Sequence, residues 1–341
     1  MCRPWRWSAA FRQRYFRWKG QSAILIARLC RAAVEAGRSA PVQEDGMSAP
    51  IVTAAITAYN RPDFLKQAIE SVLSQTFQNI EIVVVDDCSP ADLRGVADSF
   101  GGRVRYFRHA ENKKLSHARN TAISLAQGKY IAFLDDDDAW LPEKIAAQIS
   151  AIGERDACLC GFSVMESGRT VTRRVQEVTS RLLLYGNKFC GPSGLLCRRD
   201  VLLEEPFDAS LRWGEDWDLY VRLSRRMPLA YVAQPLFLRR TSDPQSMTNK
   251  TKVMSVREAE DVAGPLRKQR AWLGDRIFYR RLAGAFLSQI RNRPNKWRVL
   301  SSAISEAGIG AALWCLWYKA LRGDRRLWLD SKWNLESGAW R

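Results

Sequence analysis

The 341-residue sequence has no apolar run of the roughly 18 to 20 residues that a membrane-spanning helix needs. Its best candidates, 23–30 and 309–318, are too short and are flanked or interrupted by Arg and Lys. Histidine is nearly missing, with only His109 and His117, and the eight cysteines (2, 30, 88, 158, 160, 190, 197 and 315) are scattered. No zinc-type spacing results, and the thiols read as those of a reduced, cytoplasmic chain. No GxGxxG follows the first strand-like segment and no GxxxxGK(S/T) occurs, which excludes a Rossmann-type dinucleotide site and a P-loop. Internal repeats and low-complexity tracts are lacking too. The amino-terminal apolar run contains Arg28 and has no clean cleavage pattern, so it does not read as a signal peptide.

What the sequence has in excess is positive charge, and that charge is placed. Residues 1–47 carry nine Lys and Arg against three Asp and Glu, and residues 264–341 carry sixteen against five. Residues 48–263 hold 28 of each sign, so the formal +17 lies on the two flanks. A neutral body with basic flanks points to a polyanion, either an anionic membrane face or a nucleic acid. The hydrophobic share of 46% supplies an ordinary globular core. The first segment, CRPWRWSAAFRQRYFRWKG, mixes aromatics with Arg as a stretch lying in a membrane interface does. Met47 stands directly before SAPIVTAAITAYN, where the core begins, so a second reading makes 1–46 a loose extension.

The chain is organised around residues 130–142, YIAFLDDDDAWLP. Residues 130–134 are almost wholly apolar, as in a strand buried on both faces of a parallel sheet, and Asp135, Asp136, Asp137 and Asp138 follow at its C-terminal end. Four adjacent carboxylates repel one another unless a cation neutralises them. Asp135 and Asp137, one residue apart, can both face the crevice beyond the strand, where open α/β sheets bind ligands. Mg2+ or Mn2+ bridged to a diphosphate suits two such carboxylates. The competing reading is a solvated acidic turn before a helix, capped by Asp138.

Around this stretch, 51–58 reads as a first buried strand, and Pro62 opens a helix with apolar residues at helical spacing. A second strand, 80–85, ends on Asp86 and Asp87; a helix over 91–100, a short strand over 104–107 and a helix closing at Gly128 follow. Such strand–helix–strand units are right-handed crossovers with parallel strands, and they gather Thr57, Tyr59, Asp86, Asp87 and the four aspartates at one edge. After a helix over 142–152, residues 158–164 and 170–178 read as alternating strands of an antiparallel or mixed extension. WGEDWDLYVRL (213–223) opens a helix with Glu215, Asp216 and Asp218 in its first turn, charges that a helix N-terminus favours. A carboxylate held there beside two Trp can also serve as a general base. From 264 onward the chain reads as basic, Trp-rich helices over 267–272, 277–290, 297–307 and 309–321.

Three blocks in this order, ITAYNRPDFLKQAIESVLSQTFQNIEIVVVDDCSP (56–90), LSHARNTAISLAQGKYIAFLDDDDAWLPEKI (115–145) and GEDWDLYVRL (214–223), resemble family 2 glycosyltransferases, in particular bacterial members that build surface polysaccharides. The resemblance spans residues 50–245. It implies a GT-A fold: an α/β chain whose nucleotide-binding half has a parallel to mixed central sheet flanked by helices. The corresponding division is a basic aromatic extension at 1–47, a catalytic domain at 48–245 and a helical, basic C-terminal region at 246–341. The resemblance further implies that Thr57 and Tyr59 hold the base and ribose, and that Asp86 accepts from a uracil-type ring or ribose with Asp87 beside it. Lys114 would face the nucleotide from a loop, KKLSHARN, that lacks the glycine many members have. Asp135 would bind ribose, or the metal through water; Asp137 would bind Mg2+ or Mn2+ directly; Asp136 stands where serine is commoner. Asp216 would be the catalytic base, with Glu215 and Trp217 on the acceptor side.

The implied reaction is a single inverting displacement, with Asp216 taking the proton of an acceptor hydroxyl and no second carboxylate acting as nucleophile. The donor would be a nucleoside-diphosphate sugar, a UDP-sugar being favoured, and the acceptor lipid-linked or saccharide. Together with the charge, this predicts peripheral attachment to an anionic membrane surface on the cytoplasmic side and no nucleic-acid partner. Two rivals fit less well. Nucleotidyl transfer needs a Gly-rich phosphate loop after the first strand, and AYNRPD is a poor one. A nucleic-acid-binding protein interleaves basic and aromatic residues on one folded platform, whereas here the neutral middle carries the site.

Overall fold

Strand and helix alternate from β1 (Val52–Ala58) through α1 (Pro62–Leu73), β2 (Ile80–Asp86), α2 (Leu93–Asp98), β3 (Val104–Arg108), α3 (Leu115–Leu125) and β4 (Tyr130–Asp135). The computed structural model describes residues 49–243, 256–287, 296–322, 333–334 and 339–340, so the extension expected over 1–47 lies outside the described residues. β1 is buried at every position, as its Val, Ala and Ile content requires, and α1 and α3 pack on it. Gly128, just before β4, lies so close to β1 that an added Cβ would stand 2.6 Å from the backbone nitrogen of Thr53.

The first four strands are parallel, in the order β3-β2-β1-β4. The chain runs outward from β1 to β3 and then returns to the other side of β1. That reversal opens a crevice at the carboxyl ends of β1 and β4, the place where such sheets bind ligands. Register sets the contents of this edge: Ala58 pairs with Asp86, and Thr57 with Asp135.

The sheet continues as a mixed one. β5 (Ala139–Trp140), α4 (Lys144–Ile152) and β6 (Ala157–Val164) follow, then β7 (Thr170–Val171), β8 (Glu177–Val178), β9 (Leu196–Arg198), α5 (Arg199–Glu204), α6 (Glu215–Arg226) and β10 (Leu229–Arg239). β9 is antiparallel to both β4 and β6, whereas β6 and β10 run parallel. Two features differ from the sequence reading. The strand expected over 170–178 is split, because β7 pairs with β6 while β8 pairs with β10; between them the Tyr231 hydroxyl accepts from the Arg173 N–H. The eleven-residue β10 has no counterpart in that reading. Its Pro235 argues against an interior strand, and the structure accommodates it with register shifts on either side.

Of the C-terminal helices α7 (Val256–Lys268), α8 (Arg270–Leu273), α9 (Asp275–Leu287), α10 (Lys296–Ala307) and α11 (Ile309–Arg322), the last three fall where the periodicity places them, whereas most of α7 has no counterpart there and the helix expected over 267–272 divides between the end of α7 and α8. Phe278, Leu282, Phe286 and Val299 belong to the same buried cluster as the sheet. Asp218 of α6, fully buried, accepts from Arg222, from Lys268 at 2.9 Å and from Gln269 at 2.7 Å. Arg281 of α9 stacks on Trp217 at 4.1 Å. α6 is therefore one element through which the helical region is fastened to the sheet, beside the Arg281 bond to the Leu184 carbonyl and the Lys268 pair with Asp208. Among the described residues, no helix is long and apolar enough to cross a membrane.

Candidate active site

Three loops at the carboxyl edge of the sheet hold the non-glycine residues with positive φ among the described residues: Asn60 at 58°, Cys88 at 63° and Lys114 at 74°. Such backbone costs on the order of 1–3 kcal/mol each and collects at functional sites. Side-chain hydrogen bonds hold these loops. The Asp86 carboxylate is fully buried and accepts from the Ser89 N–H and hydroxyl, from the Tyr106 hydroxyl at 2.6 Å and from Arg108 at 2.8 Å. Asp87 accepts the N–H groups of Lys113 and Lys114, both at 2.8 Å, and pairs with His109. Both aspartates thus shape the edge, while the Lys114 ammonium is exposed and donates to Asn112. Tyr59 shows 45% of its surface to solvent. The Thr57 hydroxyl is buried without a hydrogen-bond partner among the described residues.

The four aspartates after β4 fall into two pairs. Asp136 and Asp138 turn inward and are buried. Asp136 accepts from the Tyr59 N–H at 2.9 Å and from Arg61 at 2.7 Å, and Asp138 accepts from the Arg240 N–H at 3.1 Å. Asp135 and Asp137 are the more exposed pair, with 28% and 15% of their side-chain surface accessible. Burial pushes Asp136 up to about 7 despite the opposing Arg61. Burial and then Asp135 push Asp137 up to about 6, and burial with the Asp137 charge lifts Asp138 well above the carboxylate range. Arg61, at the N-terminus of α1, gathers this cluster: it also meets Asp137 at 3.5 Å and Asp243 at 2.6 Å.

Facing them is the start of α6. Gly214 takes a left-handed φ of 67° and turns the chain so that Glu215 and Asp216 enter the helix together. Arg119 of α3, 1% exposed, donates to Asp135 at 2.7 Å and to Glu215 at 2.8 Å. One buried cation thus joins the acidic run to the helix that carries Asp216. Burial works against its charge, but Asp135 and Glu215 hold the Arg119 pKa above its ordinary value. Asp216 has different company: the Asn187 amide at 2.8 Å and the Trp217 N–H at 2.7 Å, both neutral donors. Trp217 is buried and donates to the Leu183 carbonyl at 2.8 Å, so it backs Asp216 from the interior. The Tyr220 hydroxyl, one turn after Asp216, is buried and has no hydrogen-bond partner among the described residues.

Residues 53–204 match the model of the family described as Glycosyl transferase family 2. The chain carries a family 2 glycosyltransferase domain. An Escherichia coli relative, WfgD, described as a UDP-Glc:α-D-GlcNAc-diphosphoundecaprenol β-1,3-glucosyltransferase, is 28% identical over 63% of this chain and 85% of its own length. Among solved structures, Staphylococcus aureus TarS in complex with UDP-GlcNAc superposes with a TM-score of 0.55 at 17% identity, over 80% of this chain and 76% of that one. The mannosyltransferase PcManGT of Pyrobaculum calidifontis, in complex with GDP-Man and Mn2+, gives 0.51 at 17% identity over 88% and 90%. At these identities the two structures establish the GT-A type of fold.

In this glycosyltransferase domain no group of three or more His, Cys, Asp or Glu side chains among the described residues is arranged to hold a metal ion. A site of two carboxylates is the alternative, and Asp135 with Asp137 fits it: both are hard oxygen donors, both reach the surface, and the charge of Asp135 disfavours ionisation of Asp137. Ions such as Mg2+ take one or two carboxylates and complete their shell with water and phosphate. The sequence reading passed over Arg61, Arg119, Asn187 and Ser193, whose hydroxyl accepts the Asp135 N–H at 3.1 Å. A signal for Arg119 did exist. It lies on the helix face of Ala118, Ala122 and Ile123, and an arginine on a buried face needs buried carboxylates.

Proposed function

We propose that residues 48–245 form a catalytic domain that moves a sugar from a nucleoside-diphosphate sugar to the hydroxyl of a lipid-linked or saccharide acceptor, with inversion. In this proposal, residues 246–341 are a helical attachment that keeps the domain on the inner face of a bacterial membrane. The observation that carries the reading is Arg119, because its two ion pairs bring the acidic end of β4 and the first turn of α6 onto one crevice. The same guanidinium decides between neighbouring carboxylates. Glu215 is neutralised by it, whereas Asp216 has only neutral donors and spare lone pairs, so Asp216 is the group that takes the acceptor proton. Thr57, Tyr59 and Lys114 line the donor side, with Asp86 and Asp87 holding their loops. Asp135 and Asp137 would hold Mg2+ or Mn2+, which when bound offsets charge on the departing diphosphate. The description of the E. coli relative WfgD as a UDP-Glc:α-D-GlcNAc-diphosphoundecaprenol glucosyltransferase supports a UDP-sugar and a polyprenyl diphosphate-linked acceptor.

A panel of UDP-, GDP- and dTDP-sugars, each with Mn2+, tests the donor claim through the melting temperature. One nucleotide should raise it, and a flat response across the panel would refute a nucleotide-sugar donor. Asp216→Asn should keep that nucleotide response and lose roughly 10²- to 10⁴-fold in turnover. Normal turnover in this variant would remove Asp216 from the role of base.

A further inference from the structure

The last helices carry a surface that sugar transfer does not use. α11 turns Ala312 and Cys315 into the core, while Ile309, Leu313 and Trp317, spaced one helical turn apart, are 63%, 58% and 60% exposed. α10 adds Trp297, 83% exposed, and Ile304 seven residues later on the same face. A helix against water carries polar residues there, and single exposed apolar residues are ordinary. A continuous row of large ones marks an interaction site.

One residue, about 100°, around α11 from this row, Gly310 and Trp314, with Ala311 beyond them, form a wall of a groove of about 560 Å3. Asp275, Arg276, Tyr279 and Arg280 of α9 form the opposite wall. Arg276 and Arg280 stand four residues apart, the spacing at which like charges on a helix repel, and neither has an ion pair among the described residues. Burial and then Arg276 hold the Arg280 pKa below its ordinary value. Asp275, the one carboxylate in the groove, pairs instead with Arg270 at 3.0 Å. The Arg280 guanidinium stacks on the Trp314 ring at 4.4 Å. A third partner of negative charge would relieve the arginine pair, and guanidinium groups match phosphate oxygens well.

From the exposed row on α11 and the adjoining arginine groove we infer that this face docks the chain onto an anionic lipid bilayer. The row enters the headgroup boundary and the groove holds a lipid phosphate. Sixteen basic against five acidic residues in 264–341 give the charge complement to such a surface. A nucleic-acid backbone would satisfy the arginines but give Ile309 and Leu313 nothing to be buried in. The inference uses the transfer reading for its purpose, that of bringing the crevice to a lipid-linked acceptor; its evidence is separate.

Flotation of the full chain with phosphatidylcholine vesicles, with and without phosphatidylglycerol, tests it. The wild type should float with the anionic vesicles and stay behind with the neutral ones. Leu313→Ser/Trp317→Ser should lower partitioning by roughly tenfold or more, from the loss of two buried apolar side chains. Arg276→Gln/Arg280→Gln should remove the preference for phosphatidylglycerol and the sensitivity to salt. Both should keep the wild-type melting temperature and transfer to a soluble acceptor; if the first misfolds, the second decides alone. Equal recovery with both lipids, wild-type flotation of the arginine variant, or retention on duplex DNA without flotation would each overturn the proposal. Flotation as expected in a chain that transfers no sugar would leave docking in place and remove the enzymatic reading.

Discussion

At Asp137 a carboxylate is kept partly out of water beside another negative charge, an arrangement that costs stability unless something positive arrives. Arg61 supplies part of that charge at 3.5 Å, but burial and Asp135 still prevail and lift its pKa to about 6. Asp137→Asn removes the repulsion while keeping the shape. It should leave the melting temperature without divalent ions equal to or above wild type, yet abolish the extra stabilisation that a sugar nucleotide gains from Mn2+. A variant that melts lower and still responds to Mn2+ would make Asp137 a structural residue. The alternation within the aspartate run was legible, since successive residues at a strand end face opposite ways. The partners of Asp86 and Asp87 were not, because Tyr106, Arg108 and His109 come from a neighbouring strand that no local pattern pairs with them.

Among the elements, α3, β4 and α6 are held as a unit by the Arg119 side chain. Removing the buried cation leaves Glu215 without its partner in a mostly buried place and Asp135 unpaired beside it, so Arg119→Met should cost about 3–5 kcal/mol in urea unfolding. Arg119→Lys keeps the charge but presents one ammonium in place of a two-pronged guanidinium, and cannot satisfy Asp135 and Glu215 with the same geometry. It should fold and still bind nucleotide, with turnover lower on the order of a hundredfold from misplacement of α6. Unchanged turnover in the lysine variant would show that the bridge serves folding alone. α3 itself was readable from its apolar spacing and from Gly128 after it. The link to Glu215, 96 residues away, lies beyond any periodicity, since sequence texture records burial and not the identity of the neighbour.

For the molecule as a whole, pH reports on a second buried cation. Lys144 is fully buried, donates to Gln148 at 2.7 Å and sits over the Trp140 ring at 4.2 Å. Burial, opposed weakly by nearby cysteine thiols, pushes its pKa down from 10.5 to about 8. Between those values the unfolded chain binds the proton that the folded chain has lost, so this group makes stability rise with pH from about 8 to 10.5. Lys144→Met should lack that rise when melting is followed across the window; parallel curves for both proteins would contradict it. The parallel half of the sheet was legible because doubly covered strands are written as apolar runs. β10 was not, because Pro235 breaks the pattern and its place between β6 and β5 is fixed by tertiary contacts.

That place has a practical corollary for anyone trimming the protein. A fragment stopping at residue 204, where the family match ends, would omit the strand lying between β6 and β5 and would deprive Arg119 of Glu215. The smallest piece expected to fold and turn over therefore extends through Arg239 at least. Because Asp218 is satisfied from Lys268 and Gln269, cutting before α7 would expose a buried carboxylate a few residues from the proposed base.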